Sequence, residues 1–190
     1  MGAAPRDAAP APASVRTATA DDVPALADVA ARTFALACPP SMTPERIEAF
    51  VADVLSAERF ADHVTDPGRL VLLAESGTEP LGYAMLVDGE PSDDDVRRAI
   101  RHRPTVELSK IYVVPDAHGS GAARLLMESS LAWARSRGAA GVWLGVNQQN
   151  ERAQRFYGKS GFERVGVKRF LVGGAYEDDF VLERPVAAHD

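Results

Sequence analysis

Residues 111–126, "IYVVPDAHGSGAARLL", decide how this chain is read. An apolar extended run reaches Pro115, a glycine-punctuated segment follows, and an amphipathic helical pattern then begins. The first N–H groups of a helix lack intrahelical partners, and the aligned peptide dipoles place partial positive charge there. Gly119, Gly121, Ala122 and Ala123 stand where that helix starts, and side chains this small let an anion reach the backbone. Two readings follow, a plain tight turn or a cradle for a pyrophosphate over residues 119–124. Two familiar phosphate loops are ruled out. Ala122 and Ala123 follow Gly121 where a Walker loop needs Lys and Ser or Thr. Arg124 takes the place of the third small residue of a dinucleotide fingerprint.

Outward from this stretch the elements alternate. "TVELSKIYVVP" (105–115) is strand-like, and its apolar alternation breaks at Ser109 and Lys110 as a bulge would break it. "ARLLMESSLAWARSRG" (123–138) predicts a helix ended by Gly138, and "GVWLGV" (141–146) a buried strand. A helix capped by Asn150 and closed by Gly161 comes next, then a hairpin turning at Gly173-Gly174. Upstream, a short strand from Ser14 leads into a helix that Pro39 and Pro40 stop. Thr43, Pro44 and Glu45 open another, with a further helical turn before Pro67. Residues 69–88 form a hairpin around "SGTE", and the charged stretch 89–104 is a surface connection with a helical piece. The hairpins are antiparallel, while strand–helix–strand over 105–147 requires a parallel crossover, so the class is α/β with a mixed sheet.

Composition narrows the function. A chain of 190 residues can bury one core, read here as a single domain over 14–185 with an Ala/Pro-rich disordered leader (1–13) and a tail (186–190). A net charge of −6 argues against a nucleic-acid partner. The single cysteine, Cys38, and four scattered histidines offer no metal-ligand spacing, so no metal is expected. No apolar run spans a bilayer and no signal core is present, which predicts a cytoplasmic protein without a membrane partner.

Two segments together resemble the GCN5-related N-acetyltransferase (GNAT) family: "VELSKIYVVPDAHGSGAARLL" (106–126) and "WLGVNQQNERAQRFYGKSGFERVG" (143–166). The family's loop, Gln/Arg-x-x-Gly-x-Gly/Ala, is matched by His118, Gly121 and Ala123, with histidine replacing the usual Gln or Arg. Its Asn-x-x-Ala-x-x-Phe-Tyr pattern is matched at Asn150, Ala153, Phe156 and Tyr157. The resemblance implies a twisted mixed sheet of about seven strands flanked by about four helices, with strands four and five splayed apart. It implies acetyl-CoA as co-substrate. The pantetheine arm would lie along Ile111, Tyr112 and Val113, the pyrophosphate on His118, Gly119, Ser120, Gly121, Ala122, Ala123 and Arg124, and Asn150 and Tyr157 near the thioester.

The reaction sets two proton problems. An alkylammonium with a pKa near ~10.4 must shed a proton before it attacks, and the departing thiolate can take one up. Glu107 is the candidate base, directly or through a water, and Tyr157, protonated at neutral pH, the candidate acid. Both also have plain readings, a solvated strand carboxylate and a packed aromatic. Asn147 is a second amide candidate near the pantetheine. Cys38 carries no sign of an acyl-cysteine route, and Phe34, Phe50, Trp133 and Trp143 are expected in the core. Acceptor recognition is expected from residues 21–60 and 89–104, with "SDDD" (92–95) able to meet a cation. The C-terminal hairpin resembles polyamine-acetyltransferase-like members, which points to a small primary amine. A protein N-terminus or lysine, a non-catalytic acyl-CoA-binding domain and a homodimeric assembly stay open.

Overall fold

The computed structural model describes residues 11–172 and 175–186. The leader expected over residues 1–13 and the tail thus fall largely outside the described residues, as does the Gly173-Gly174 turn. The chain enters the sheet as β1 (Ala13–Thr17) and passes through a 3-10 turn into α1 (Val23–Ala37), whose Leu26, Val29, Ala30 and Phe34 are buried. The helix ends where Cys38 turns extended ahead of the two prolines. α2 (Pro44–Val54) starts on Thr43, whose hydroxyl accepts the Arg46 N–H at 3.4 Å. α3 (Ala57–Thr65) starts on Ser56 in the same way. β2 (Arg69–Ser76) and β3 (Glu79–Asp88) form the hairpin. α4 (Asp94–Ala99) is capped by Asp93, whose side chain accepts from two backbone N–H groups. β4 (Thr105–Val113), α5 (Ala122–Ser136), β5 (Gly141–Asn147), α6 (Glu151–Lys159), β6 (Glu163–Val172) and β7 (Ala175–Pro185) complete the chain.

Among the described residues the seven strands form one sheet in the order β1-β2-β3-β4-β5-β7-β6. Every pairing is antiparallel except β4 with β5, the crossover carried by α5. The expected bulge is present: Lys110 pairs with Met85 and Leu108 with Leu86, which leaves Ser109 unmatched. Val142, Leu144 and Val146 of β5 enter the main core, which α1, α3 and α5 cover. Trp143 goes to the other face, into a small cluster with Val96, Ile100 and Val181 beneath α4. Glu183 lies beside that cluster at 2% exposure. Its carboxylate accepts the backbone N–H of Arg101 and of His102 at 2.9 Å, pinning the 89–104 connection to β7.

Candidate active site

The sheet opens at its centre. β4 and β5 pair only from Thr105–Gly141 to Glu107–Trp143; beyond that row β4 runs on to Val113 and β5 to Asn147 with no pairing between them. The parting begins at Ser109, because an extra residue bends the bulged strand away from its neighbour. A cavity of about 250 Å³ fills the gap. Glu107, Lys110, Ile111 and Tyr112 of β4 line it on one side, and Asn147, Asn150 and Tyr157 on the other. Phe34 of α1 and Phe50 of α2, stacked at 4.5 Å between centroids, form an apolar wall with Met42. These two rings, expected as core, thus also shape the site.

Register explains which charges meet there. Glu107 pairs with Trp143, Asn147 with Asp179, and Asp179 with Lys168. Side chains alternate across a strand, so Glu107, Trp143, Asn147, Asp179 and Lys168 share one face of the sheet. Gly145 sits on that face between Trp143 and Asn147. A Cβ there would lie 2.6 Å from Lys168 Cε and 3.1 Å from an Asp179 carboxylate oxygen, so the missing side chain is the space these two occupy. Lys168 also stands over the Trp143 ring, 5.5 Å from its centroid.

Burial sets the protonation states. It raises the Tyr157 phenol well above the ordinary tyrosine range, and the Tyr112 phenol likewise, so both carry their protons at neutral pH. It pushes the Cys38 thiol up to about 11, helped by the nearby Glu177; a thiol so protonated is no acyl-accepting nucleophile. Lys110 is lowered by desolvation, which the charge of Glu107 opposes. Asp179 is raised to about 6, first by desolvation, with Lys168 acting against the rise and Glu177 and Asp178 adding to it.

The glycine stretch lies at the far end of β4. Gly119 and Gly121 have φ of +92° and +88°, a conformation that side-chain-bearing residues rarely adopt, and open space surrounds the Cβ position of each. The first bond within α5 runs from the Leu125 N–H to the Gly121 carbonyl, so the N–H groups of the preceding turn have no helical acceptor; that of Ala122 meets the Ser120 hydroxyl at 3.3 Å. His118 folds back onto β4, with Nε2 3.2 Å from the Val113 carbonyl oxygen. Arg124 is exposed and pairs with Glu128 at 3.5 Å. The Asn150 side chain accepts the Ala153 N–H at 3.0 Å, the cap the sequence implied, and the residue still lines the cavity.

Glu107, Ile111, Tyr112, Asn150 and Tyr157 therefore meet at one cavity, Val113 ends β4 beyond it, and residues 118–124 lie at the start of α5. The acidic run over 92–95 does not join them: Asp93 caps α4, and Asp94 and Asp95 pair with Arg97 and Arg98. Nor does any residue of 89–104 line the cavity, whose further charges are Lys110, Lys168, Glu177 and Asp179. The last three come from the final hairpin, where a sequence shows only alternating polar residues; the run Glu177-Asp178-Asp179 was the one available signal.

Residues 32–162 match the acetyltransferase (GNAT) family. The chain belongs to that family. An N-acetyltransferase of Mycobacterium tuberculosis, itself named as uncharacterized, is 49% identical over 163 residues, 86% of this chain and 97% of that one. The fold is shared with the PaiA N-acetyltransferase of Thermoplasma acidophilum, solved in complex with coenzyme A. That match has a TM-score of 0.72 at 19% identity, over 91% of this chain and 98% of that one. It is shared too with yncA of Salmonella typhimurium, solved with its cofactor acetyl-CoA, with a TM-score of 0.64 at 22% identity over 94% and 96% of the two chains. A GNAT N-acetyltransferase with strands four and five parted is therefore what the sequence motifs had implied. No described helix is long and apolar enough to cross a membrane.

Proposed function

We propose that this protein moves the acetyl group of acetyl-CoA to a small primary amine, by direct attack with both substrates bound. The observation that carries the reading is the parting of β4 from β5 at Glu107, which opens one cavity to a carboxylate and to a protonated phenol. The unpaired edge of β4 around Ile111 to Val113 offers backbone groups to an amide-bearing arm, and the first turn of α5 offers N–H groups to a pyrophosphate. These residues fit acetyl-CoA, which supplies the activated thioester. Two bound relatives of the fold, the coenzyme A complex of PaiA and the acetyl-CoA complex of yncA, support that choice.

Glu107 takes the proton from the acceptor ammonium, directly or through a water, and so frees the nitrogen lone pair. Tyr157 gives its proton to the departing thiolate, and burial keeps that proton in place until it is needed. A backbone N–H on β4 polarises the thioester carbonyl. Cys38 takes no part, because its thiol stays protonated. The cavity, walled by the Phe34–Phe50 stack and of about 250 Å³, suits a small amine better than a folded protein surface.

Thiol release from acetyl-CoA across a panel of spermidine, putrescine, lysine, aminoglycosides and a peptide N-terminus tests the proposal, with the product identified by mass spectrometry. Turnover with a small amine supports it. Turnover with the peptide alone moves the acceptor to a protein, and acetyl-CoA binding without thiol release moves the protein to a non-catalytic binding role.

A further inference from the structure

Of the 21 lysines and arginines only three are lysines, and two of these, Lys110 and Lys168, line the cavity. Lys168 stands over the Trp143 ring with Asp179 beside it. Lys110 is half-buried, and among the described residues its ammonium forms no ion pair. Its one hydrogen bond goes to the adjacent Ser109 hydroxyl, at 3.5 Å. An ammonium taken out of water is ordinarily held by a carboxylate or by several acceptors. Register explains why this amine faces the reaction. Glu107 and Lys110 are three residues apart, a spacing that puts side chains on opposite faces of a regular strand. The unmatched Ser109 changes that. Glu107 pairs with Val87 and Lys110 with Met85, two residues apart on β3, so both stand on one face. The bulge that parts β4 from β5 thus also turns Lys110 to the side of Glu107. Its pKa falls below the ordinary lysine value, first by desolvation, with Glu107 acting against the fall and Arg69 on β2 and Lys168 on β6 adding to it. An amine so placed sheds its proton more readily than a solvated one, and only the neutral amine attacks a thioester.

We propose that Lys110 is a self-acetylation site: when acetyl-CoA is bound and no acceptor is present, its Nζ takes the acetyl group, and the product fills the acceptor cavity. The proposal rests on the acetyltransferase reading above, because it uses the same thioester and the same two proton carriers. Lys110 directly precedes Ile111, where that reading places the arm of acetyl-CoA, and it shares the cavity with Glu107 and Tyr157. The ammonium gives one proton to Glu107, and the freed lone pair attacks the thioester carbonyl carbon. A C–N bond forms, the C–S bond breaks, and Tyr157 protonates the departing thiolate. The second proton of the nitrogen replaces the one that Tyr157 gave, and the first leaves Glu107 for solvent. The resulting acetamide carries no charge, so the cost of holding a desolvated cation disappears. An amide is a far poorer acyl donor than a thioester, so the modified protein is a resting form and not an intermediate of transfer.

The test incubates the full chain with acetyl-CoA and no amine at neutral pH, and follows intact mass and the acetylated peptides over time. Lys159, exposed at the end of α6 and outside the cavity, gauges uncatalysed acetylation in the same sample. The expected result is one acetyl group per chain, on Lys110, gained at least about tenfold faster than on Lys159. Glu107→Gln and Tyr157→Phe should each slow labelling of Lys110 about tenfold or more and leave that of Lys159 unchanged. Preincubation with acetyl-CoA should lower later turnover of a productive amine in step with the mass gain. Lys110→Arg, which keeps the charge but takes no acetyl group, should show no such loss relative to its own untreated sample. Lys110 labelled no faster than Lys159, labelled as fast in both variants, or passed over for Lys168 overturns the proposal. So does labelling of Lys110 that leaves turnover as it was. Labelling of Lys110 that depends on Glu107 and Tyr157, with no amine of the panel turned over, keeps this proposal and sinks the small-amine reading. Amine turnover with Lys110 unmodified does the reverse.

Discussion

Asp179 and Cys38 line one cavity and show what burial does to a single side chain. Asp179 has its folded pKa raised to about 6 from the ordinary 3.8, so its contribution to stability has a definite sign. Below about pH 4 the carboxyl is protonated in both the folded and the unfolded chain and burial costs nothing in charge. As pH rises through about 6 the folded protein must hold a desolvated anion, and stability falls. Asp179→Asn is therefore expected to stabilise the protein at pH 8 by about 1–3 kcal/mol and to do little at pH 4, read from denaturant midpoints at the two pH values. Cys38 is the opposite case. With its thiol at about 11 and its S–H directed to the Phe34 carbonyl at 3.3 Å, Cys38→Ala is expected to keep kcat within about threefold. A collapse of turnover, or acetyl-cysteine trapped on the protein, would contradict direct transfer.

From the second half of β4 to the start of α5, thirteen residues (109–121) fix two features that face different ends of the same ligand. The bulge at Ser109 parts the strands, and the left-handed glycines at 119 and 121 let the chain turn into α5 with the N–H groups of its first turn lacking helical acceptors. Gly121→Ala meets no neighbouring atom, so its cost is conformational, about 1 kcal/mol. Acetyl-CoA should then bind several-fold more weakly, by calorimetry, while any kcat at saturating substrate is little changed. These features were legible in the sequence because they are local. A glycine that must turn left-handed, a cap such as Asn150 and a break in alternation each leave a mark within a few residues. Lys110, Lys168 and Asp179 left no such mark. β7 inserts between β5 and β6, and only that order carries Asp179 and Lys168 to the row of Asn147 and to the gap over Gly145. Pairing across some 30 residues of intervening chain is a property of register, which spacing alone does not announce.

Across the whole molecule the sheet is held in register at the end where β4 and β5 still pair by contacts remote in sequence. Glu183 on β7 binds the backbone of residues 101 and 102, closing the connection that precedes β4 just where β4 still pairs with β5. Glu183→Ala takes the buried acceptor away from the Arg101 and His102 N–H groups and should lower stability by about 1–3 kcal/mol, read by chemical denaturation. The charged stretch 89–104, expected from the sequence to meet the acceptor, is instead part of this closure. Its acids are spent on capping and pairing α4, so the charge facing the cavity comes from the other end of the chain. The account as a whole then turns on whether the parted strands are a place of chemistry. Steady-state thiol release from acetyl-CoA with a productive amine, in the wild type, Glu107→Gln and Tyr157→Phe, decides it. The predicted result is a fall in kcat of about a hundredfold for Glu107→Gln and ten- to a hundredfold for Tyr157→Phe, with acetyl-CoA affinity unchanged in both. Two variants that turn over as fast as the wild type would contradict the account.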